Sequence, residues 1–135
     1  MSKNRVYETG SVRDNNEGKG AYYLIPSLPL DLLAKLFQAG ADRYGANNWQ
    51  KGQPLMASYY DSAMRHLNKL KAGDKSERHD ISAIWNLFAY VWTLAEIEAG
   101  FLPKELDDRP LPEPQYRKKK AVEVPPVHPN NWTTS

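Results

Sequence analysis

The sequence predicts an all-α fold: a compact helical domain of about three main helices, with an irregular N-terminal segment and an extended proline-rich C-terminal tail. Two observations predict it. Apolar residues recur three and four positions apart in three separate stretches, which is the period of one face of a helix. Glycine follows each stretch, and seven of the ten prolines fall after residue 102. Because glycine and proline interrupt helices, these positions mark the limits of the helical part.

Length and charge limit the class of protein. A chain of 135 residues is long enough for one domain. The 18 Lys and Arg against 16 Asp and Glu leave a formal net charge of +2, so we expect neither a nucleic acid nor a membrane as a partner. The absence of cysteine excludes a disulfide framework, a Cys-ligated zinc site and thiol chemistry. No apolar run approaches about 18 residues and no secretory signal opens the chain, so a cytoplasmic protein is expected.

The first predicted helix covers about residues 28–44. Ser27 is its expected N-cap, and Pro29 lies in the first turn, where a missing N–H is tolerated. Gly45 is expected to end it. Its apolar residues fall on one face: Leu30, Leu33, Ala34, Phe37, Ala41 and Tyr44.

The second predicted helix covers about residues 54–71. Pro54 begins it and Gly73 stops it. Its buried stripe is expected to consist of Met56, Tyr60, Ala63, Leu67 and Leu70.

The third predicted helix covers about residues 75–100. Asp74, with Glu77 three positions on, matches a capping box, and Gly100 closes the helix. Apolar residues occupy two of its faces, which is typical of a helix at the centre of a fold or at a subunit interface. Since only two other helices are available to surround it, we expect a homo-oligomer, either a dimer or a tetramer.

The two ends of the chain are expected to differ from the helical part. Residues 1–26 contain three glycines and a polar cluster and are predicted to be loop, with a short extended piece at 22–25. We divide the chain into a helical domain at 1–102 and a tail at 103–135 with little structure of its own. The tail carries a basic run at 117–120 and an aromatic residue, Trp132.

Two carboxylates at the start of the third helix are candidate metal ligands. Glu77 and Asp80 are three residues apart, so both side chains can face one point. That spacing suits a hard cation such as Mg²⁺. The alternative is a structural role, because acidic residues are common in the first turn of any helix.

Polar residues on the two later helices are candidates for a binding site. Asn86 follows His79 by two turns with the small Ala83 between them, which leaves room for a ligand or forms a buried hydrogen-bonded pair. The second helix carries four polar side chains that either line the same site or form surface pairs: Asp61, Arg65, His66 and Asn68.

Two loops have the composition of phosphate- or base-binding segments. After the first helix, Asn48 and Lys51 flank Trp49, whose ring can stack on a base or anchor the turn to the core. The N-terminal segment carries Arg13 and Lys19 among glycines. It does not match a P-loop, because GxxxxGK[ST] after a strand is absent.

Several ordered segments together resemble a known family. They are TGSVRD at 9–14, EGKG at 17–20, GADRYG at 40–45, NWQKG at 48–52, DSAMRHL at 61–67, His79, WNL at 85–87 and GFLPKELDD at 100–108. They are similar to the phage-borne dATP/dGTP diphosphohydrolase domain family, which includes MazG-like proteins of phages with modified DNA. The resemblance spans about residues 8–108. It implies hydrolysis of a purine deoxynucleoside triphosphate to the monophosphate and pyrophosphate with a divalent metal, in the host cytoplasm if a phage encodes the chain.

We therefore expect a nucleotide site between the second and third helices. The expected metal ligands are Asp61, Glu77 and Asp80, holding Mg²⁺ or Mn²⁺, and the expected catalytic residues are these three with His79. The expected substrate-binding residues are Arg13, Lys19, Asn48, Trp49, Lys51, Arg65, His66 and Asn86. In this hypothesis Trp49 lies against the base, and His79 or His66 orients the attacking water.

The resemblance departs from the MazG pattern at one place. MazG-type enzymes carry ExxE on the first helix and ExxD on a later one, whereas here only the ExxD pair, Glu77 and Asp80, is present. The first helix has only Asp31 and Asp42, at no such spacing. Two alternatives follow: a non-catalytic phage protein that sequesters a nucleotide, and a structural or host-interaction protein that acts through its basic tail.

Overall fold

The computed structural model describes residues 3–118 and confirms the all-α fold. Three helices dominate it: α1 (Ser27–Tyr44), α2 (Asp61–Lys71) and α3 (His79–Glu98). The N-terminal segment, predicted to be loop throughout, holds a short antiparallel ladder of β1 (Arg5–Val6) and β2 (Val12–Arg13). The stretch at 22–25, predicted to be extended, is instead a 3₁₀ turn, Tyr22–Leu24.

Helix α1 begins one residue earlier than predicted. Pro26, with an extended ψ of 139°, occupies the N-cap, and Ser27 is already helical. The prediction that Ser27 caps the helix is therefore wrong. Gly45 ends α1 as predicted, with φ +93° and its N–H donating to the carbonyl of Ala41 at 2.9 Å.

The second predicted helix consists of two different parts. A π-helical turn, Leu55–Tyr60, runs directly into α2. Leu55 and Tyr59 are fully buried, so the wider turn carries the core residues of this region. The N–H groups of Met56 and Ala57 donate to the two carboxylate oxygens of Asp108, at 2.6 and 2.9 Å, which satisfies donors at the start of the turn.

Helix α3 begins four residues later than predicted, and the capping box is not formed. Asp74 accepts a hydrogen bond from the N–H of Ser76 at 2.8 Å, which makes a local turn rather than a helix cap. Glu77 lies in the loop, and Arg78 occupies the N-cap position. The helix ends at Glu98, close to the predicted limit.

The core forms where α3 packs against α1, α2 and the π-helical turn. Ala89 and Thr93 of α3 are fully buried there. Four large apolar residues of α3 are exposed: Ile84, Leu87, Phe88 and Val91. Helix α3 therefore has two apolar faces as predicted, and the other elements cover only one of them.

The start of the predicted tail belongs to the packed structure. Leu106 packs against the core cluster, and Asp108 bonds to the π-helical turn. The division at residue 102 therefore passes through a packed segment. The end of the basic run and Trp132 lie outside the described residues. Between residues 3 and 118, no helix is long and apolar enough to cross a membrane.

Candidate functional site

Three side chains of types that can ligate a metal ion, two histidines and a glutamate, converge where α2 meets the start of α3. His66 lies on α2, Glu77 lies in the connecting loop, and His79 is the first residue of α3. His66 Nδ1 is 2.9 Å from His79 Nδ1. Glu77 Oε1 is 3.2 Å from the first of these nitrogens and 3.3 Å from the second. We call these three residues the His–Glu cluster.

The members of the His–Glu cluster differ in their access to solvent. The side chain of His79 is 1% exposed, that of His66 is 20% exposed, and that of Glu77 is 52% exposed. Burial lowers the pKa of His66, and the neighbouring His79 adds to this, although Glu77 acts in the opposite direction. The lowered pKa favours the neutral imidazole, which is the form that binds a metal.

A second carboxylate lies on the far side of the buried histidine. Asp74 Oδ2 is 3.2 Å from His79 Nε2. Nε2 is a buried atom that has no well-formed hydrogen bond, so Asp74 is its nearest polar contact on this side. The backbone N–H of Ser76, followed by its side chain and by His79, lowers the pKa of Asp74 to about 2, so the carboxylate is ionised at neutral pH.

The fold does not bring the predicted metal trio together. Asp61 pairs with Arg65 on α2, and Asp80 forms two hydrogen bonds with Arg78, at 2.9 and 2.8 Å. The bond from Arg78 holds the pKa of Asp80 at about 2. Within residues 3–118, Glu77 meets two histidines instead of Asp61 and Asp80. The trio does not form because α3 begins only at His79. Glu77 is therefore not in the helix, and the three-residue spacing no longer places its side chain on the same face as that of Asp80.

A cavity of about 770 Å³ opens between α1 and the loop that follows it. Two predicted residues, Asn48 and Trp49, line it together with Trp85 of α3. The centroids of the two indole rings are 5.9 Å apart, and Phe37 packs within 6.0 Å of both. The sequence analysis did not assign four polar residues of the lining to the site: Gln38, Arg43, Asn47 and Gln53. Proximity to Trp49 in the chain could have indicated Asn47 and Gln53, whereas Gln38 and Arg43 lie on α1 and reach the cavity only through the fold.

A smaller cavity, of about 280 Å³, lies between α1 and the start of α3 and has Glu77 of the His–Glu cluster in its lining. Leu36 and Ala39 line both cavities, so the two adjoin across α1. Lys35, Glu77 and Arg78 line the smaller one. One member of the His–Glu cluster, Glu77, therefore lines a cavity that neighbours the one lined by Trp49 and Trp85, which we call the aromatic cavity.

The remaining predicted substrate residues lie elsewhere. Arg13 and Lys19 are exposed on the N-terminal segment, and Lys51 is exposed beside Trp49. Arg65 is engaged by Asp61. Asn86 is buried, and its side-chain amide donates to the carbonyl of Ser82 at 2.8 Å, so it is satisfied within α3.

Comparison with known proteins gives one result. A family model described as dATP/dGTP diphosphohydrolase, N-terminal, matches residues 9–109. The match covers all three helices, both cavities and the His–Glu cluster. None of the curated proteins and none of the solved structures matches the chain significantly.

Proposed function

Because this chain belongs to the dATP/dGTP diphosphohydrolase N-terminal family, we propose that it hydrolyses dATP or dGTP to the monophosphate and pyrophosphate. The family match carries the proposal, since it covers 9–109 and so includes the whole helical part. Two features of the structure support it: a cavity large enough for a purine nucleoside, and a set of metal-binding side chains near that cavity.

The aromatic cavity is the proposed base site. Its volume of about 770 Å³ lies within the usual range for small-molecule sites, about 300–1,000 Å³. A purine ring can contact the faces or edges of Trp49 and Trp85. The side chains of Asn48 and Gln38 offer both donors and acceptors, which reading the edge of a purine requires.

The smaller cavity is the proposed path of the phosphates. Lys35 and Arg78 line it and place positive charge between the base site and Glu77. Both cations already have carboxylate partners, Asp31 and Asp80, on the exposed surface. Exposed pairs of this kind contribute little to stability because solvent screens them, so a phosphate can replace the carboxylate at small cost. Arg13, Lys19 and Lys51 remain candidates for the outer phosphates.

The reacting end of the substrate would lie at the His–Glu cluster. Trp85 follows His79 by six residues, about 9 Å along the helix axis, so the base site and the cluster are separated by little more than a sugar and its first phosphates. The half-exposed carboxylate of Glu77 is placed to orient a water and take its proton, and the buried His79 holds that end of the site in position. A divalent ion bound there would offset phosphate charge and lower the pKa of the attacking water.

Sequestration without turnover is the second candidate function. The observation that favours it is the small number of free carboxylates near the phosphate path. Asp61 and Asp80 are paired with arginines, and α1 carries no ExxE pair. A site with few free carboxylates repels the phosphates less, which favours binding. The same site holds fewer metal ions, which disfavours hydrolysis.

Product analysis separates these functions. The full chain is incubated with dGTP or dATP and either Mg²⁺ or Mn²⁺, at enzyme concentrations near that of the substrate, and the products are resolved by chromatography. We expect the monophosphate and pyrophosphate in equal amounts, without free phosphate. Glu77→Gln should lower the rate at least about 100-fold, whereas the matched Glu98→Gln variant, at the far end of α3, should retain it.

Two results would contradict the proposal. Intact triphosphate recovered together with stoichiometric tight binding would establish sequestration. Neither binding nor turnover with any purine deoxynucleotide would remove both functions.

A further inference from the structure

We propose that His66, Glu77 and His79 bind one first-row transition-metal ion, of the Mn²⁺, Fe²⁺, Co²⁺ or Zn²⁺ class, in preference to Mg²⁺. The proposal rests on the His–Glu cluster, on the contact between Asp74 and His79, and on the chemistry of the donors. It deepens the proposed function, because the ion would serve the same site, but its test uses metal alone.

The spacing of the three donor atoms suits a shared ion. Their separations are 2.9, 3.2 and 3.3 Å. Two ligands that are each about 2.1 Å from one ion, at a right angle, are about 3.0 Å apart. Three separations near this value are expected when three ligands occupy one face of an ion. Two histidines and one carboxylate bind metals in this arrangement, which leaves the remaining coordination positions open.

The cluster has too few protons to be satisfied by hydrogen bonds alone. Each neutral imidazole has one N–H, and an ionised carboxylate has none. Consider the tautomer in which His79 carries its proton on Nε2, facing the carboxylate of Asp74 at 3.2 Å. Its Nδ1 then has only a lone pair, and this lone pair faces Nδ1 of His66 and Oε1 of Glu77. A proton on His66 Nδ1 can serve only part of this group, whereas a cation at its centre serves all three atoms.

The donor set selects the class of ion. Mg²⁺ prefers oxygen ligands and near-ideal octahedral geometry, and it dehydrates reluctantly. Imidazole nitrogen instead suits the transition metals. Two nitrogens and one carboxylate oxygen therefore favour a transition ion. The trio predicted from the sequence had three carboxylates, which led to Mg²⁺ or Mn²⁺ as the expected ion.

Asp74 acts as a positioning residue in this site. It contacts the nitrogen of His79 that faces away from the other donors. Histidine ligands commonly present their second nitrogen to a carboxylate, which fixes the tautomer and raises the basicity of the ligand. The N–H of Ser76 donates to Oδ1 of Asp74 at 2.8 Å, and the other carboxylate oxygen, Oδ2, is the one that contacts His79.

The proposal is tested by titrating the untagged full chain with Mn²⁺, Zn²⁺ or Mg²⁺ salts in the absence of nucleotide, by calorimetry. We expect one Mn²⁺ or Zn²⁺ per chain, bound at least about 10-fold more tightly than Mg²⁺. His66→Ala and Glu77→Gln should each weaken Mn²⁺ binding by about 10- to 100-fold. Asp61→Asn and Asp80→Asn are the matched controls and should bind as the wild type does. Circular dichroism establishes that each variant is folded.

The role of Asp74 has a separate readout. Asp74→Asn retains an oxygen that can accept the N–H of Ser76, so the turn is preserved. It should weaken Zn²⁺ binding about 10-fold. It should also change the side-chain ¹⁵N chemical shifts of His79.

Three outcomes would overturn the inference. The first is a wild type that binds no ion of any kind, and the second is a wild type that binds Mg²⁺ as tightly as Mn²⁺. Loss of binding in Asp61→Asn and Asp80→Asn but not in His66→Ala would assign the ion to the acidic trio. All three are independent of turnover, so the metal site and the hydrolysis can each fail without the other.

Discussion

His66 and His79 stand with their Nδ1 atoms 2.9 Å apart although 13 positions separate them in the chain. The contact joins α2 to the first residue of α3 across the loop between them. Two neutral imidazoles at this distance share at most one proton between the facing nitrogens. The pair lies at one end of the α2–α3 hairpin, and it is the part of the molecule on which the proposed metal site depends.

Asn48 should contribute to recognition of the base. It lines the aromatic cavity beside Trp49 and can donate and accept hydrogen bonds. Loss of one such bond costs about 0.5–1.5 kcal/mol, so Asn48→Ala should raise the KM for dGTP or dATP about 2- to 10-fold. Steady-state kinetics with both nucleotides measures this. Asn68→Ala, exposed on α2, is the control, and equal KM values for both variants would exclude Asn48 from the site.

Gly52→Ala should destabilise the chain strongly. Gly52 has φ +103°, which residues with a Cβ rarely adopt, and an added Cβ would lie 2.6 Å from Cδ1 of Leu106. Strain and overpacking together predict a loss of about 1–3 kcal/mol in the free energy of unfolding. Urea denaturation measures the loss. Gly20→Ala, with open space around it and no positive φ, should leave the midpoint unchanged.

Asp108→Ala should destabilise the chain in a pH-dependent way. The carboxylate accepts the N–H groups of Met56 and Ala57, and removing such a cap costs about 1–2 kcal/mol. Burial raises the pKa of Asp108, but the two N–H bonds outweigh burial, so the pKa is lowered overall.

The lowered pKa sets the direction of that pH dependence. The stabilisation is fully present above the unfolded pKa of about 3.9 and is lost as the pH falls through the folded value. Urea midpoints of the wild type and Asp108→Ala should therefore differ near neutrality and approach each other in acid. Asp31→Ala, which removes an exposed partner of Lys35, should show a much smaller difference at neutrality, and a difference as large would contradict the capping role.

The predicted homo-oligomer should depend on the exposed face of α3. Val91 lies on that face with Leu87 and Phe88, and a charge there would be buried in any subunit contact. Size-exclusion chromatography with light scattering should give a dimer or tetramer for the wild type and a smaller species for Val91→Lys. Leu111→Lys, at an exposed position outside the helices, should leave the mass unchanged. A wild-type chain that is monomeric in solution would contradict this prediction.

Truncation should show where the packed structure ends. A chain that stops after Arg109 keeps Leu106 and Asp108 and should retain the helix content and melting temperature of the full chain. A chain that stops after Lys104 loses both contacts and should melt at a lower temperature. Circular dichroism measures both. Equal stability of the two truncated chains would show that the segment 105–109 contributes nothing.

The sequence by itself determined the helices and most of their limits. The period of the apolar residues identified α1, α2 and α3, and Gly45 ended α1 where predicted, because apolar periodicity and glycine both act within a few residues. The family, too, followed from ordered local segments, and the match over 9–109 confirmed it.

The tertiary structure alone decided which residues meet. The sequence placed Glu77 on a helix with Asp80, but the turn at Asp74 delays α3, and Glu77 meets His66 and His79 instead. Asp108 likewise reaches Met56 across 52 positions. Local patterns carry no information about such contacts, because they depend on how complete helices dock and on which buried polar groups then need partners.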